Sequence, residues 1–147
     1  RIDDFCVISA GAGGIYIANN VHIAVYTLLI GDESITLRDF ANLSSRVSIY
    51  SSNDDYSGST LTNPTVPPEY KAVNTARVSI GRHAIVGSGS VVLPGVKIHD
   101  GAAIGALSLV KKDCEYFCMY AGNPARYIKP RNRQLLELEK DYLLNNQ

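Results

Sequence analysis

The chain has no excess of either charge and no long apolar run. Its 14 lysine and arginine residues balance 14 aspartate and glutamate residues, so the basic surplus that is typical of nucleic-acid-binding proteins is missing. Apolar stretches are interrupted every few residues by glycine, serine or a charged residue. None reaches the roughly 20 apolar residues that a membrane-spanning helix requires. The sequence therefore predicts neither a nucleic-acid partner nor a membrane span.

Cysteine is scarce as well. The three cysteines, Cys6, Cys114 and Cys118, are an odd number at irregular spacing, which argues against a disulfide-bonded scaffold. The Cys114-x-x-x-Cys118 pair lacks the additional ligands that a zinc site needs, so no metal site is predicted. Free cysteines are typical of a reducing compartment, and we therefore expect a cytoplasmic protein. The 147 residues suffice for one domain with its own core.

An aliphatic residue recurs at every sixth position in the second half of the chain. These hexad leads are Ile80, Val86, Val92, Ile98, Ile104 and Val110. A small or short residue takes the fifth place of each hexad: Ala84, Ser90, Val96, Ala102, Ser108 and Cys114. A period of six matches neither the 3.6-residue period of a helix nor the two-residue period of a strand. It is typical of a parallel β-helix, in which each hexad forms one short strand and one corner.

The repeat makes specific stacking predictions. With three hexads in each coil, we expect Ile80 to stack on Ile98 and Val86 to stack on Ile104 in the next coil. Glycine follows the lead in three hexads, at Gly81, Gly87 and Gly105. We expect these glycines to relieve the backbone at the turn.

The first third of the chain has the same repeat with two interruptions. Its leads are Ile2, Ile8, Ile17, Ile23, Leu29, Leu37, Leu43 and Ile49. The glycine-rich segment 11–14 breaks the phase, and we interpret it as a bulged corner. An insertion of two residues within segment 31–34 is expected to form a protruding turn.

Between residues 50 and 77 the repeat stops. This segment holds three of the six prolines, and a loop of this length inside a compact solenoid is uncommon unless it is functional. Residues 1–130 are thus predicted to form one β-helix domain from which the loop 50–77 is extruded. Residues 131–147 carry Leu135, Leu138 and Tyr142 on one side of a short amphipathic helix. We expect this helix to cap the open end of the β-helix or to pack on its side.

The end of the repeat carries two further motifs. Val110-Lys111-Lys112-Asp113 is followed by Tyr120-Ala121-Gly122-Asn123-Pro124-Ala125-Arg126. Together with the hexads, these strings resemble the hexapeptide-repeat acyltransferases, in particular their sugar O- and N-acetyltransferase branch. The resemblance implies an all-β fold: a left-handed parallel β-helix shaped as a triangular prism, with a long protruding loop and a short C-terminal α-helix. It also implies a homotrimer in which the loop reaches over the neighbouring subunit and the sites lie between prisms.

The resemblance further implies an acyltransferase that moves an acetyl group from acetyl-CoA to a hydroxyl or amino group of a sugar, such as a nucleotide-sugar or surface-glycan precursor. Lys111, Lys112 and Arg126 match family positions near the coenzyme A phosphates, which cationic groups would hold. The backbone that would line the pantetheine arm is expected around Gly87, Ser88, Ala106 and Ser108.

The general base is the point at which this chain departs from the family. In the sugar and maltose acetyltransferases the base is a histidine in a Thr-His-Pro string at the start of the long loop, whereas this chain has Ser52-Asn53-Asp54-Asp55. Asp54 or Asp55 could replace it, if burial or the adjacent like charge raises the pKa of one carboxyl group. His22 could serve instead, because Val21-His22-Ile23 is similar to a string of some amino-sugar N-acetyltransferases. Alternatively, an amine acceptor that arrives neutral needs little help from a base.

Two other functions compete with acyl transfer. A non-catalytic binding or scaffold prism would explain the missing loop histidine, because a fold does not by itself imply activity. A metalloenzyme similar to the γ-carbonic anhydrases would need three histidines at one interface, including a close pair four residues apart. The histidines here, His22, His83 and His99, contain no such pair, so the sequence argues against this class.

Overall fold

The computed structural model describes residues 1–145, which form a parallel β-helix with a hairpin at its C-terminal end and one α-helix beside it. In chain order its strands are β1 (Val7–Ala10), β2 (Ile15–Ile17), β3 (His22–Ile23), β4 (Leu28–Gly31), β5 (Ile35–Leu37), β6 (Asn42–Leu43), β7 (Ser48–Tyr50), β8 (Ser52–Asp54), β9 (Val73–Thr75), β10 (Val78–Ile80), β11 (Ile85–Val86), β12 (Val91–Val92), β13 (Lys97–Ile98), β14 (Ala103–Ile104), β15 (Leu109–Val110), β16 (Cys118–Ala121) and β17 (Arg126–Pro130). A 3₁₀ helix spans Pro68–Tyr70, and α1 spans Leu135–Asn145.

The strands form the three faces of a prism. The five-strand face consists of β1, β4, β7, β12 and β15, the four-strand face of β2, β5, β10 and β13, and the six-strand face of β3, β6, β11, β14, β16 and β17. Successive coils pair in parallel within each face, and the antiparallel pairing of β17 with β16 ends the six-strand face. The predicted parallel β-helix is therefore confirmed.

The predicted stacking of the hexads is also confirmed. Ile80 pairs with Ile98, and Val86 pairs with Ile104. The hexad leads of the second half are buried in one core with the earlier leads Ile23, Leu29, Leu37, Leu43 and Ile49. The first three leads, Ile2, Ile8 and Ile17, are instead 40–52% exposed. The fifth-place residues point inward as well: Ala84, Ser90, Val96, Ala102, Ser108 and Cys114 are at most 2% exposed. Burial raises the pKa of the Cys114 thiol to about 12, which makes it a core residue of low reactivity.

The glycines that follow the leads do not serve the predicted purpose. Their backbone is not in the left-handed region. Instead, a Cβ atom at Gly81 would lie 2.5 Å from the amide nitrogen of Asp100 in the next coil, and one at Gly87 would lie 2.5 Å from that of Ala106. Glycine is required there because two backbones approach closely. The left-handed turn falls two residues later in the hexad, where φ is +70° at Gly89.

The extruded loop is an ordered arm rather than an irregular segment. Residues 51–77 leave the prism between β7 and β10, and the base of the arm is an antiparallel pairing of β8 with β9. The 3₁₀ helix at Pro68–Tyr70 lies within it, and an isolated bridge joins Leu61 to Lys71.

All three interruptions of the repeat lie at one edge of the prism, between the five-strand and four-strand faces. We call this edge the arm corner. The amide of Gly11 donates to the carbonyl oxygen of Gly31 (2.9 Å), and the amide of Ser51 donates to that of Ile30 (3.0 Å). The bulged corner at 11–14, the turn at 31–34 and the arm therefore stack in successive coils. The predicted bulged corner, the predicted protruding turn and the predicted loop thus lie together at the arm corner.

Helix α1 packs on the side of the prism. Its Glu139 carboxylate contacts Arg82 and His83, and the ring of Tyr142 lies edge-on to Phe40 at 6.0 Å. Leu138 is 62% exposed, so the prediction that it belongs to the packed side of the helix is wrong. The side of α1 that faces the prism contains Glu139 instead. The predicted helical segment extended to residues 146 and 147, which lie outside the described residues.

Candidate active site

The three cationic residues predicted to hold coenzyme A line one small cavity. Lys111 and Lys112 follow β15, and Arg126 begins β17; all three border a cavity of about 150 Å³ near the C-terminal end of the prism. The hairpin turn is placed there because the amide of Ala125 donates to the carbonyl oxygen of Leu109 (2.8 Å). We call this the cationic cavity. It concentrates positive charge where phosphate groups could be bound.

The residues predicted to line the pantetheine arm lie across the five-strand face from the arm corner. Gly87 and Ser88 follow β11, and Ala106 stacks on Gly87 one coil later. The Ser108 hydroxyl instead points into the core, where it donates to the Gly105 carbonyl oxygen (2.7 Å) and accepts from the Gly122 amide (3.1 Å). The backbone of Ser108 is engaged as well, because its amide donates to the Ser90 hydroxyl (3.2 Å) and its carbonyl oxygen accepts from the Val91 amide (2.8 Å). The five-strand face separates this edge from the cationic residues that follow β15.

Asp55 has its carboxylate engaged within the arm. It accepts hydrogen bonds from the amide of Ser57 (2.8 Å), the hydroxyl of Ser57 (2.9 Å) and the hydroxyl of Thr60 (3.1 Å). The bonds from Ser57 are the main reason why the pKa of Asp55 is lowered. This is opposite to the rise that the base hypothesis required of an aspartate here. Asp55 shapes a turn of the arm.

Asp54 differs from its neighbour. It is the last residue of β8, opposite Val73, and it is exposed. Within the part of the chain that the structure describes, its carboxylate accepts no hydrogen bond. Of the two loop aspartates, Asp54 is therefore the one whose oxygens remain available to a substrate proton.

His22 lies on a different face. It belongs to β3 of the six-strand face, with Nδ1 3.2 Å from the amide oxygen of Asn42 and Nε2 3.0 Å from the carboxylate of Asp3. The pKa of Asp3 is lowered, chiefly by its hydrogen bond with His22 and then by Arg1. Both ring nitrogens are thus within hydrogen-bond distance of a neighbouring side chain. Within one chain, the structure does not bring His22 together with Asp54.

The other histidines take part in packing. His83 stacks on Phe40 with ring centroids 4.8 Å apart, and His99 lies 4.3 Å from the ring of Tyr116. Among residues 1–145 there is no group of three or more histidine, cysteine, aspartate or glutamate side chains placed to hold a metal ion.

Sequence reasoning missed two concavities on the four-strand face, of about 620 and 430 Å³. They are lined by Arg38, Arg77 and Lys97 among others. These cations are far apart in the sequence and meet only because their coils stack. The sequence contained one indication of this surface: a residue next to an inward-facing lead, such as Lys97 before Ile98, points outward.

Residues 77–112 match the family described as "Bacterial transferase hexapeptide (six repeats)". The chain is 58% identical over 139 residues to the dTDP-4-amino-4,6-dideoxy-D-glucose acyltransferase of Escherichia coli. The aligned residues cover 95% of this chain and 72% of the Escherichia coli protein. It is also 30% identical over 142 residues to the putative lipopolysaccharide biosynthesis O-acetyl transferase WbbJ of Escherichia coli K12, with 95% and 70% covered.

Solved structures give the same result. The N-acyltransferase AntD from Bacillus cereus, crystallised with dTDP and 3-hydroxybutyryl-CoA, superposes with a TM-score of 0.93 at 44% identity over 99% of this chain and 76% of AntD. Another AntD structure, a variant in complex with dTDP-4-amino-4,6-dideoxyglucose and coenzyme A, has a TM-score of 0.94 at 43% identity, with 99% and 77% covered.

The chain belongs to the hexapeptide-repeat acyltransferases. Its prism is the left-handed β-helix of that family, and the chain is an enzyme that transfers an acyl group from a coenzyme A thioester to a sugar. The prediction of an acyltransferase is thus confirmed, and the scaffold alternative is displaced. No helix within residues 1–145 is long and apolar enough to cross a membrane.

Proposed function

We propose that this enzyme acylates the 4-amino group of a dTDP-linked 4-amino-4,6-dideoxy sugar. The observation that carries the proposal is the 58% identity over 95% of the chain with an Escherichia coli enzyme of that activity. The TM-score of 0.94 to a structure that contains this nucleotide sugar and coenzyme A supports it independently. We propose acetyl-CoA as the donor and the cytoplasm as the compartment, the latter because the three cysteines are free thiols.

The reaction needs no covalent enzyme intermediate, because the thioester is already activated. The amine nitrogen attacks the thioester carbonyl, the new C–N bond forms, and the C–S bond breaks as coenzyme A leaves. A general base takes one proton from the amine. We assign this role to Asp54, since the other candidates already have hydrogen-bond partners. Asp55 accepts hydrogen bonds from Ser57, and the ring nitrogens of His22 contact Asn42 and Asp3.

The donor has a separate site in this proposal. Lys111, Lys112 and Arg126 in the cationic cavity bind phosphate groups of coenzyme A. The edge at Gly87 and Ala106 offers close-packed backbone to the pantetheine arm. We also propose a homotrimer, in which the arm of one subunit extends over the next and the groove between two prisms takes the thioester.

Acyl transfer can be tested by following thiol release from acetyl-CoA and 3-hydroxybutyryl-CoA. The acceptors are dTDP-4-amino-4,6-dideoxyglucose and, as the matched control, dTDP-6-deoxyglucose, which differs from it only by a hydroxyl group in place of the amine at C4. We expect turnover with the amine only, and a product whose mass increases by one acyl group. Turnover with the hydroxyl acceptor alone would favour O-acylation, the activity named for the WbbJ relative. Absence of turnover with both acceptors would refute the proposal.

A further inference from the structure

A continuous groove runs along the four-strand face. Two cavities of about 620 and 430 Å³ share Thr36, Arg38 and Asp100 in their walls. A third, of about 450 Å³, meets the second at Ser34 and Arg77, next to the arm corner. We call this surface the four-strand groove. It offers far more room than the cationic cavity.

Three cationic side chains line the central part of the groove: Arg38, Arg77 and Lys97. Within residues 1–145, the side chains of Arg38 and Lys97 form no ion pair and no hydrogen bond. The Arg77 guanidinium is 3.4 Å from the Glu33 carboxylate, but its side chain is 83% exposed, so water screens this contact strongly. The three positive charges are thus largely uncompensated.

Asp32 and Glu33 line the cavity next to the arm corner, whereas Asp39 and Asp100 line the groove beside Arg82. Asp39 pairs with the guanidinium of Arg82 at 3.2 Å. Asp100 accepts a hydrogen bond from the backbone amide of Arg82 at 2.8 Å. Both carboxylates thus have a partner on Arg82. The central cavity carries three cationic side chains, Arg38, Arg77 and Lys97, against one carboxylate, Asp100, and this local excess of positive charge favours an anion.

Coil stacking explains why the cations converge. Thr36 pairs with Ser79, and Ser79 pairs with Lys97, so these outward-facing side chains form a polar row across the groove. The corresponding row on the five-strand face is mostly apolar: Leu28, Ser48, Val91 and Leu109. The four-strand face has the chemistry of a site for a small polar anion rather than that of a face that packs against another prism.

The groove meets the candidate active site at the arm corner. The arm rejoins the prism at Arg77, next to β10. Lys97, which lines the groove, is joined to the cationic cavity as well. Its amide donates to the carboxylate of Asp113 (2.8 Å), and Asp113 borders that cavity. An anion in the groove would therefore lie beside the base of the arm and one coil from the donor site.

We propose that the four-strand groove holds the diphosphate of the nucleotide-sugar acceptor through Arg38, Arg77 and Lys97. This inference rests on the proposed function. Two guanidinium groups can each bind a phosphoryl group with two parallel hydrogen bonds, and the lysine adds a point charge. The diphosphate of coenzyme A has the same chemistry, so the test must separate the two ligands.

The test is to titrate wild type, Arg38→Ala, Arg77→Ala and Lys97→Ala with dTDP, dTMP, thymidine and coenzyme A. We expect each variant to bind dTDP roughly ten- to a hundredfold more weakly, the usual effect of losing a charged hydrogen bond. The preference of the wild type for dTDP over thymidine should shrink in the variants, and the affinity for coenzyme A should not change. Arg46→Ala and Lys129→Ala, exposed cations outside the groove, are the matched controls and should bind dTDP as wild type does.

The outcomes distinguish this inference from the proposed function. A wild-type enzyme that acylates the nucleotide sugar, with groove variants that bind dTDP unchanged, would overturn the inference and leave the function intact. Weaker binding of coenzyme A with unchanged dTDP binding would reassign the groove to the donor and also overturn it. A wild type that shows no acyl transfer would refute the function, while the dTDP titrations would still decide whether the groove is a diphosphate site. Thermal melting confirms that each variant is folded.

Discussion

The Glu139 carboxylate of helix α1 lies 2.8 Å from Nε2 of His83 at a corner of the prism. The side chains of these two residues are only 9% and 12% exposed. Arg82 also contacts Glu139, and Phe40 stacks on the His83 ring. Helix α1 is thus attached to the β-helix by a half-buried polar network, which makes the attachment sensitive to protonation.

Stability should therefore fall on mild acidification through His83. Its pKa is lowered from 6.5, first by burial and then by the charges of Arg82 and Arg131, against weaker opposing effects of Asp100 and Asp39. As the pH falls through about 6.5, the unfolded chain binds a proton at this residue before the folded chain does. The free energy of unfolding therefore decreases in the window just below that pH, and the contribution is fully present above it.

The measurement is the melting temperature of wild type and His83→Asn between pH 7.5 and 5.5. Asparagine tolerates the positive φ of 56° at this corner, so the variant removes the titrating ring without straining the backbone. We expect a smaller loss of stability on acidification in the variant. Parallel pH profiles for the two proteins would show that His83 does not carry the effect.

A second prediction concerns the glycines that follow the leads. Gly81→Ala should destabilise the β-helix by roughly 3 kcal/mol, because the added methyl group meets the backbone of Asp100, which belongs to the next coil and cannot move alone. Gly58→Ala in the arm has open space around its Cβ, although its φ is +85°, and should cost about 1 kcal/mol. Chemical denaturation measures both. A loss at Gly81 no larger than that at Gly58 would contradict coil-to-coil contact as the reason for glycine.

The extent to which sequence predicts this structure depends on what each residue contacts. Leads such as Ile80 and Ile98 stack directly, so their spacing is constant and visible in the sequence. The cations of the four-strand groove are also neighbours in space, but the arm lies between Arg38 and Arg77 in the chain. Their separation in sequence therefore depends on the length of this insertion. The six-residue repeat does not predict that these cations are neighbours.

The role of the arm aspartates could be predicted only in part. A polar turn at Asp55 is a local feature, and Ser57 two residues later is its usual partner. The lowering of the pKa of Asp55 could not be predicted, because the sequence does not show which oxygens accept hydrogen bonds. The placement of the cationic cavity, by contrast, followed from the family motifs at Lys111 and Arg126, and the structure brings these residues together.

A third prediction tests that cavity as the donor site. Lys111→Ala, Lys112→Ala and Arg126→Ala should each weaken the binding of coenzyme A by about tenfold, because each removes a charge-assisted contact to phosphate. Calorimetric titration with coenzyme A and with dephospho-coenzyme A identifies the phosphate involved: a variant that lost a contact to the 3′-phosphate binds dephospho-coenzyme A as wild type does. Lys129→Ala, on the same strand as Arg126 but outside the cavity, is the control. Unchanged binding in all three variants would contradict the assignment.

The last prediction separates the candidates for the general base. Asp54→Asn should lower kcat by about 10²–10⁴-fold, the usual contribution of general-base catalysis, and leave the binding of coenzyme A unchanged. Asp55→Asn should lower kcat less, because it loosens the turn at Ser57 without removing the base. His22→Gln should have little effect, since both ring nitrogens are engaged by Asn42 and Asp3.

The pH profile then decides between Asp54 and an acceptor that needs no base. If Asp54 removes the proton, the Asp54→Asn rate should recover partly as the pH rises, because the amine increasingly arrives neutral and solvent can take the remaining proton. The wild-type rate should gain less over the same range. If kcat of Asp54→Asn instead stays close to wild type at neutral pH, no carboxylate is required and the amine reacts unaided. A large loss confined to His22→Gln would move the base to the six-strand face, and the acceptor amine would then have to lie beside Asn42 rather than at the arm.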